Sequence, residues 1–499
     1  MESSGGYDVL VVGGGTAGCV LAARLSEDGG RSVCLVEGGP DYGPHDGGAW
    51  PPELLDGRSG PDTHDWSDAD GALSVARVIS GCSAHNLCFW IHPAAADWDA
   101  WAGASGDDGW SADPMATYIG RVESAMPLRR FSGEEINPWL ATCIEAAGEV
   151  GLGALEDVND HRRATGLGPM PVNAVGTTRW NAAFAYLDAA RRRPNLEVMP
   201  EALVERLDLA DGRVTGVRVR RDGSSSVLRA ARVIVCAGSY GSPALLLRSG
   251  IGPEAELARH GIAVTAALPV GERLRDHFSV AVRLAPTASM QARIDEHAKS
   301  GLTFFSQGIG RACSSQVTDG LWDLHVMVGL IPAEMGGFPE RSGHVLGLNA
   351  AVVRPDWTGS VTLRSPDPAQ LPVVTAQDLG CRRDAAAMAD GIALCGELVA
   401  SAAARGAWEE QLIPDPGLAA DALAEHCARS VRPYFHPVGT CAMGRAGDGV
   451  SVVDAAGRVH GFENLYVADA SIMPTIPRAN TNLPVLAAAE RIADLLLAD

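Results

Sequence analysis

No stretch of this 499-residue chain approaches the roughly 20 consecutive apolar residues that span a bilayer. Its 11 cysteines include no CxxC pair, which argues against zinc sites and a disulfide framework, and Cys34 and Cys236, within apolar runs, read as small buried hydrophobes. Basic residues are outnumbered, 40 Lys and Arg against 61 Asp and Glu, for a net charge of −21. A surface so acidic is suited neither to nucleic acid nor to anionic membranes. The opening residues Met1 to Gly6 hold no basic cluster or apolar core of a signal peptide, so a cytoplasmic location is expected. Neither an internal repeat nor a low-complexity linker is present, so the two domains that this length implies are expected to interweave.

What is present begins at Asp8-Val9-Leu10-Val11-Val12, a short apolar run rich in β-branched residues. Gly13-Gly14-Gly15-Thr16-Ala17-Gly18 follows, then a helical pattern to Leu25, then a second apolar run, Ser32 to Val36, closing on Glu37. This is a β-turn-α-β unit, and the acid lies at nearly the spacing of about 20 residues expected of a dinucleotide site. Gly13, Gly15 and Gly18 let the backbone approach a pyrophosphate at the helix N-terminus, beside Thr16 and Ala17, while Glu37 accepts from the ribose hydroxyls. Far downstream, Phe435-His436-Pro437-Val438-Gly439-Thr440 precedes Pro477-Arg478-Ala479-Asn480-Thr481-Asn482. His436 offers a proton acceptor and Asn480 an orienting amide, so a bound dinucleotide meeting a His/Asn pair points to redox chemistry.

Between these motifs, residues 40–70 are rich in Gly, Pro and Asp and read as an irregular excursion. Leu196 to Val219 alternates around an Asp211-Gly212 turn and reads as a hairpin or meander. Arg232 to Cys236 is a further buried strand, Gly359 to Ser365 a half-buried strand of an antiparallel region, and Asp384 to Ala404 a helix.

Several further motifs make the chain similar to the glucose–methanol–choline oxidoreductases, a family of FAD enzymes. Gly238-Ser239-Tyr240-Gly241-Ser242-Pro243 through Gly252 fits one family signature, and Val270-Gly271-Glu272-Arg273-Leu274-Arg275-Asp276-His277 resembles another. His436-Pro437-Val438-Gly439-Thr440 and Val467-Ala468-Asp469-Ala470-Ser471 complete the set. Ala76 to Asn86 looks most like the choline oxidase branch, in which the histidine at the place of His85 can carry FAD covalently through the flavin 8α-methyl group. Ser80 and Ala84 depart from the usual glycine and serine, and a side chain at Ser80 is expected to shift the backbone where the loop passes the flavin.

The resemblance implies an α/β fold: a Rossmann-like FAD-binding domain over 7–150, 196–280 and 446–499, and a substrate domain on a largely antiparallel sheet over 151–195 and 281–445. It implies cofactor contacts at Gly13, Gly15, Thr16, Ala17, Gly18, Glu37, Gly38, Gly81, Ser83, His85, Asn86, Val204, Ala237, Gly238, Asp469, Ala470, Asn480 and Asn482. It further implies oxidation of a primary or secondary alcohol, with His436 as base, hydride passing to flavin N5, oxygen or another acceptor taking the electrons, and a monomer or homodimer. The family also holds lyases and light-driven decarboxylases that keep FAD without net redox turnover, and a non-catalytic FAD protein is a further alternative. Gly301 to Phe305 supplies no acid for a trimethylammonium group, and neither Glu296 nor Asp323 can be assigned to it, which counts against choline. Tyr434 and Phe435 suggest an aromatic wall beside the base. His92, His277 and His325 read as structural.

Overall fold

The computed structural model describes residues 6–66, 75–375, 379–401 and 403–499. The last residues of the 40–70 excursion and most of the polar start lie outside these; the rest of the excursion holds one short helix, Pro52–Leu55. The nucleotide half is built on a five-stranded parallel sheet in which Leu465–Val467, Ala230–Val235, Tyr7–Val12, Val33–Val36 and Leu196–Met199 lie side by side. Its strands are near-continuous apolar runs because helices cover a parallel sheet on both faces. Thr16–Leu25 packs against Asn482–Ala498, where Arg24 pairs with Glu490 and Asp494.

Leu196–Met199 thus joins the parallel sheet, and the antiparallel meander starts after it: Leu203–Ala210, Arg213–Arg221 and Ser224–Leu228. The turn between the first two holds Asp211 at φ 49° and Gly212 at φ 70°, the conformation an Asp-Gly hairpin turn requires.

The second half is a seven-stranded antiparallel sheet, with Phe278–Pro286, His344–Val352, Leu324–Pro332, Ser306–Ala312 and Gly166–Pro169 in that order. Trp408–Ile413 and Arg432–Pro433 both pair with Phe278–Pro286. One face packs under the helices Pro138–Glu149 and Arg382–Ala400, so the helix expected over Asp384 to Ala404 forms and ends near Ala400. Val361–Thr362 does not join this sheet. It pairs with Val373–Val374 in a separate ribbon, bound to the preceding motif through Val361 N–H to Gly271 O at 2.7 Å.

The two halves exchange chain at several points. Pro138–Glu149 falls within the 7–150 span but packs its Trp139 and Leu140 into the antiparallel core. Conversely, Ala182 to Ala190 and Val438 to Met443 fall within spans assigned to the substrate domain yet contribute to the core around the parallel sheet. Among the described residues no helix is long and apolar enough to cross a membrane.

The glycine turn divides its labour. Gly13 has φ 101°, and a Cβ there would sit 2.5 Å from the Cys236 carbonyl oxygen. A Cβ at Gly18 would be driven into the Gly13 carbonyl, so Gly18 sets how closely the first helix can approach its strand. Gly18→Ala is therefore expected to lower stability by roughly 2 kcal/mol or more through overpacking, read as a fall in the melting midpoint of the holoprotein together with reduced flavin content.

Candidate active site

At the carboxyl edge of the parallel sheet the chain builds a cradle. No side chain caps the first helix at Gly15, and a Cβ placed on Gly15 would meet nothing nearer than the Gly81 Cα at 3.9 Å. The loop carrying Gly81 therefore passes over the turn. Glu37 is buried and accepts from Gly14 N–H and Gly39 N–H, each at 2.7 Å. Burial pushes its carboxyl up, against those bonds, and each oxygen keeps a lone pair for a ribose hydroxyl. A surface cleft of about 420 Å³, lined by Gly38, His64, Asp65 and Arg77 among others, opens beside it. Val204 follows on the first strand of the meander, whose approach is tied to Glu37 through the Ala202 N–H to Glu37 O bond of 2.8 Å.

On the facing side, the Asp469 carboxylate accepts from Gly238 N–H at 2.8 Å, Ser242 Oγ–H at 2.5 Å and Ser471 N–H at 2.8 Å. It thereby joins the Ala237-Gly238 turn to Ala470 and holds both strand ends in one place.

The Gly81–Ala84 turn carries the next group of predicted residues. Ser80 adopts φ 79°, and its Oγ contacts Ser83 Oγ at 2.6 Å and accepts from Ala183 N–H at 3.1 Å. The extra side chain holds the Ala182–Ala183 backbone, with Ser83 Oγ accepting from Ala182 N–H, at a left-handed φ that glycine adopts more readily. Asn86 Oδ1 accepts from Cys88 N–H, which shapes the turn after His85. Arg179, fully buried, fixes the whole loop by donating to the carbonyls of Glu53, Leu54, Asp56, Ser59, Ala84 and Asn86. Nothing in the local sequence marked Arg179. His85 Nδ1 lies 3.3 Å from Asp65 Oδ1, while Nε2 is buried without a partner. Burial and the Arg179 charge lower its pKa to about 4, so the ring is neutral and nucleophilic at physiological pH.

The segment around His436 spans both halves. Arg432–Pro433 pairs with the antiparallel sheet, while Ser239 Oγ donates to the Pro437 carbonyl at 2.5 Å and Thr440 Oγ1 donates to Ser239 O at 2.7 Å. Phe435 between them sits at φ 64°, a left-handed conformation that throws its ring outward, 64% exposed, and turns His436 inward, 8% exposed. The aromatic wall is thus Tyr434 alone, whose ring stands 4.9 Å from His436.

His436 Nε2 lies 3.0 Å from Asn480 Nδ2, so the predicted pair meets across the site. On the other edge, His436 Nδ1 is 2.9 Å from His277 Nδ1, a contact that sequence reasoning missed in reading His277 as structural. Only its place beside Asp276 in the Val270–His277 motif signalled it. Asn480 Nδ2 can only donate, so His436 Nε2 holds a lone pair and its proton resides on Nδ1, donated to His277. His277 then carries its own proton on Nε2, which is buried without a partner. Asp276 Oδ1 accepts from the His436 backbone N–H at 2.7 Å and fixes the ring's base. Arg478 positions Asn480: its guanidinium and N–H bind buried Asp97 at 2.7 and 2.9 Å, and its carbonyl accepts from Trp322 Nε1 at 3.2 Å. Asn482 opens the last helix, its Nδ2 buried without a partner.

Burial dominates the electrostatics. It lowers His436 and His325 to about 3, drives His277 far down with help from those two neighbours, and pushes Asp276 up to about 8. The cluster is therefore uncharged near pH 7. An unfolded chain takes up protons on these histidines below about pH 6.5, which the folded rings refuse until far lower pH. Their contribution to stability is thus present above pH 6.5 and is lost progressively as pH falls from there towards about 3. Nitrogen-15 NMR of histidine-labelled protein is expected to show His436, His277 and His325 as neutral rings from pH 7 to 5.5, while a free histidine reference titrates near 6.5. A protonated His436 signal at pH 6 would contradict the tautomer assignment.

The comparisons agree with this architecture. Two segments of the family described as "GMC oxidoreductase" match residues 7–279 and 355–489. The chain is 32% identical to an oxygen-dependent choline dehydrogenase of Brucella anthropi, across 98% of this chain and 95% of the relative. It is 34% identical to a 5-(hydroxymethyl)furfural oxidase of a Methylovorus species, across 98% of each. Among solved structures, pyridoxine 4-oxidase from "Mesorbium loti" superimposes with a TM-score of 0.87 at 27% identity, across 99% of both chains. Formate oxidase of Aspergillus oryzae shares the fold with a TM-score of 0.89 at 23% identity, across 100% of this chain and 99% of that one. With the two sheets, the glycine cradle and the His436 segment that joins them, the chain belongs to the GMC oxidoreductase family.

Proposed function

We propose that the protein oxidises a primary or secondary alcohol to the carbonyl with FAD, His436 serving as base and Asn480 orienting the substrate. Membership of the family implies FAD, and the chain's own residues suit it: an uncapped helix N-terminus, open space at Gly15, and the unpartnered His85 Nε2 and Asn482 Nδ2. In this reading Gly13, Gly15, Thr16, Ala17 and Gly18 hold the pyrophosphate, and Glu37, Gly38 and Val204 the adenosine end. Gly81, Ser83, His85, Asn86, Ala237, Gly238, Asp469, Ala470, Asn480 and Asn482 border the remainder. His85 Nε2 is the atom through which the flavin would be covalently attached.

The observation that carries the reading is the 3.0 Å contact between His436 Nε2 and Asn480 Nδ2. A carbinol entering there replaces that contact: its O–H donates to Nε2, and its oxygen accepts from Asn480. His436 takes the proton as the carbon–oxygen double bond forms, and His277 accepts the Nδ1–H that keeps Nε2 available. FAD held beside this pair would supply the hydride acceptor, at flavin N5. Three of the named relatives act on choline, 5-(hydroxymethyl)furfural and pyridoxine, all of them alcohols, which supports the substrate class, while the formate oxidase, at 23% identity, shares the fold alone.

Anaerobic spectra of the holoenzyme with a panel of alcohols test this. One or more alcohols are expected to bleach the oxidised flavin band. His436→Ala should slow that reduction by about 10²–10⁴-fold and Asn480→Ala by about 10–100-fold, both retaining flavin. A flavin that stays oxidised while substrate is consumed would replace this reading with the lyase one. Acid precipitation is expected to leave flavin absorbance on the protein, and to release it from His85→Ala.

A further inference from the structure

The antiparallel sheet has two unlike faces. Phe278, Val280, Val326, Val328 and Leu348 pack under the helices. The opposite face carries Arg283, Arg311, His325 and Asn349, spaced by Gly329, Gly347 and Ala351. This second face borders the His436/Asn480 site, since Ile309 and Met327 share an apolar cluster with Tyr434 and Ala479, the neighbour of Asn480.

Arg311 and His325 are direct register partners on adjacent strands, and both are fully buried. The Arg311 guanidinium lies 4.4 Å over the Trp322 ring, and its Nη2 donates to the carbonyls of Asp160 and Arg163 at 2.9 and 2.7 Å. Its Nε and Nη1 have no partner, nor does either ring nitrogen of His325. The acids nearby are engaged elsewhere: Asp160 with Arg162 at 2.7 Å, Asp157 with Arg130, and Asp323 with the Ser314 N–H and hydroxyl. Arg283, the second arginine on this face, donates to Asn349 Oδ1 at 2.7 Å and to backbone carbonyls. Among the described residues no carboxylate pairs with either arginine.

Arg311 is thus a buried guanidinium with no carboxylate paired to it, only the more distant charges of Asp160 and Asp157 acting on it. Burial lowers Arg311 only to about 10, so it stays charged at neutral pH, and neutral His325 beside it can still donate one ring N–H. A cation beside this part of the sheet face meets the buried positive charge of Arg311. A carboxylate would give Arg311 the acceptors its Nε and Nη1 lack.

We propose that the substrate is a hydroxy acid, whose carboxylate is received by Arg311 with His325 while its carbinol lies between His436 and Asn480. The inference rests on the alcohol-oxidation reading and narrows it. The carboxylate takes no part in the chemistry: the carbinol carbon gives up a hydride, and its hydroxyl gives a proton to His436.

The test is a charge series on the wild-type holoenzyme, following anaerobic flavin reduction by 4-(hydroxymethyl)benzoate, benzyl alcohol and 4-(hydroxymethyl)-N,N,N-trimethylanilinium. The acid is expected to have at least about a tenfold advantage in reduction rate over dissociation constant, about 1.4 kcal/mol, with the cation poorest. Arg311→Met should collapse the acid-to-neutral ratio towards one, and Arg311→Lys should restore part of it. Equal or better reduction by the neutral or cationic alcohol overturns the proposal, and needs no variant to fold. So does an unchanged ratio in Arg311→Met. Titration of the oxidised flavin spectrum with non-reducing 4-methylbenzoate separates the two readings. Carboxylate binding that Arg311→Met abolishes, with no alcohol reducing the flavin, would keep the anion site and sink alcohol oxidation. Reduction by benzyl alcohol with no carboxylate binding would do the reverse.

Discussion

A polar group taken out of water must find a partner within the protein, and the seam between the two sheets is organised by that requirement. Where the chain meets it, the result is rigidity. Arg179 gathers six backbone carbonyls and freezes the His85 loop, and Arg478 binds Asp97 and so places Asn480. Near the catalytic pair and on the sheet face beside it the requirement goes unmet. Asn480 Oδ1, Asn482 Nδ2, Tyr434 Oη, both nitrogens of His325 and two of Arg311 are buried without partners, as is His85 Nε2 on its loop. Such atoms keep hydrogen-bonding capacity for a bound molecule.

The same desolvation sets the protonation states. Among the described residues no carboxylate pairs with the His436 ring, so burial keeps it neutral, and the contacts to Asn480 and His277 decide which nitrogen bears the proton. Asp276 contributes through its grip on the His436 backbone and, being itself pushed up by burial, adds little negative charge. The local backbone contributes too. The left-handed turn at Phe435 costs conformational energy of order 1 kcal/mol, which neighbouring bonds to Ser239, Asp276 and Thr440 hold in place.

Much was legible without coordinates because it is written locally. A strand, a glycine turn, a helix and a second strand ending in Glu37 occupy thirty contiguous residues, about the span of one βαβ unit, and their order forces a parallel crossover. The Asp211-Gly212 turn and the helix from Arg382 follow equally from short-range pattern. Less legible were elements whose neighbours lie far off in sequence. Val361–Thr362 alternates like a sheet strand but pairs in its own ribbon, and Pro138–Glu149 looks continuous with the nucleotide domain yet packs on the other sheet.

The sequence by itself determined the parallel nucleotide sheet and the cradle from Gly13 to Glu37, because motif spacing and residue chemistry carry those, and it singled out His436 and Asn480 as residue types suited to the chemistry. Tertiary structure alone decided that His277 meets His436, that Phe435 leaves the site while Tyr434 stays, that Ser80 serves the Ala183 backbone, and that Arg311 and His325 share an inward sheet face. Each of these depends on strand register, a left-handed turn or a contact between residues more than ten apart. A side chain's partner across such a distance is a property of packing, which no local pattern encodes.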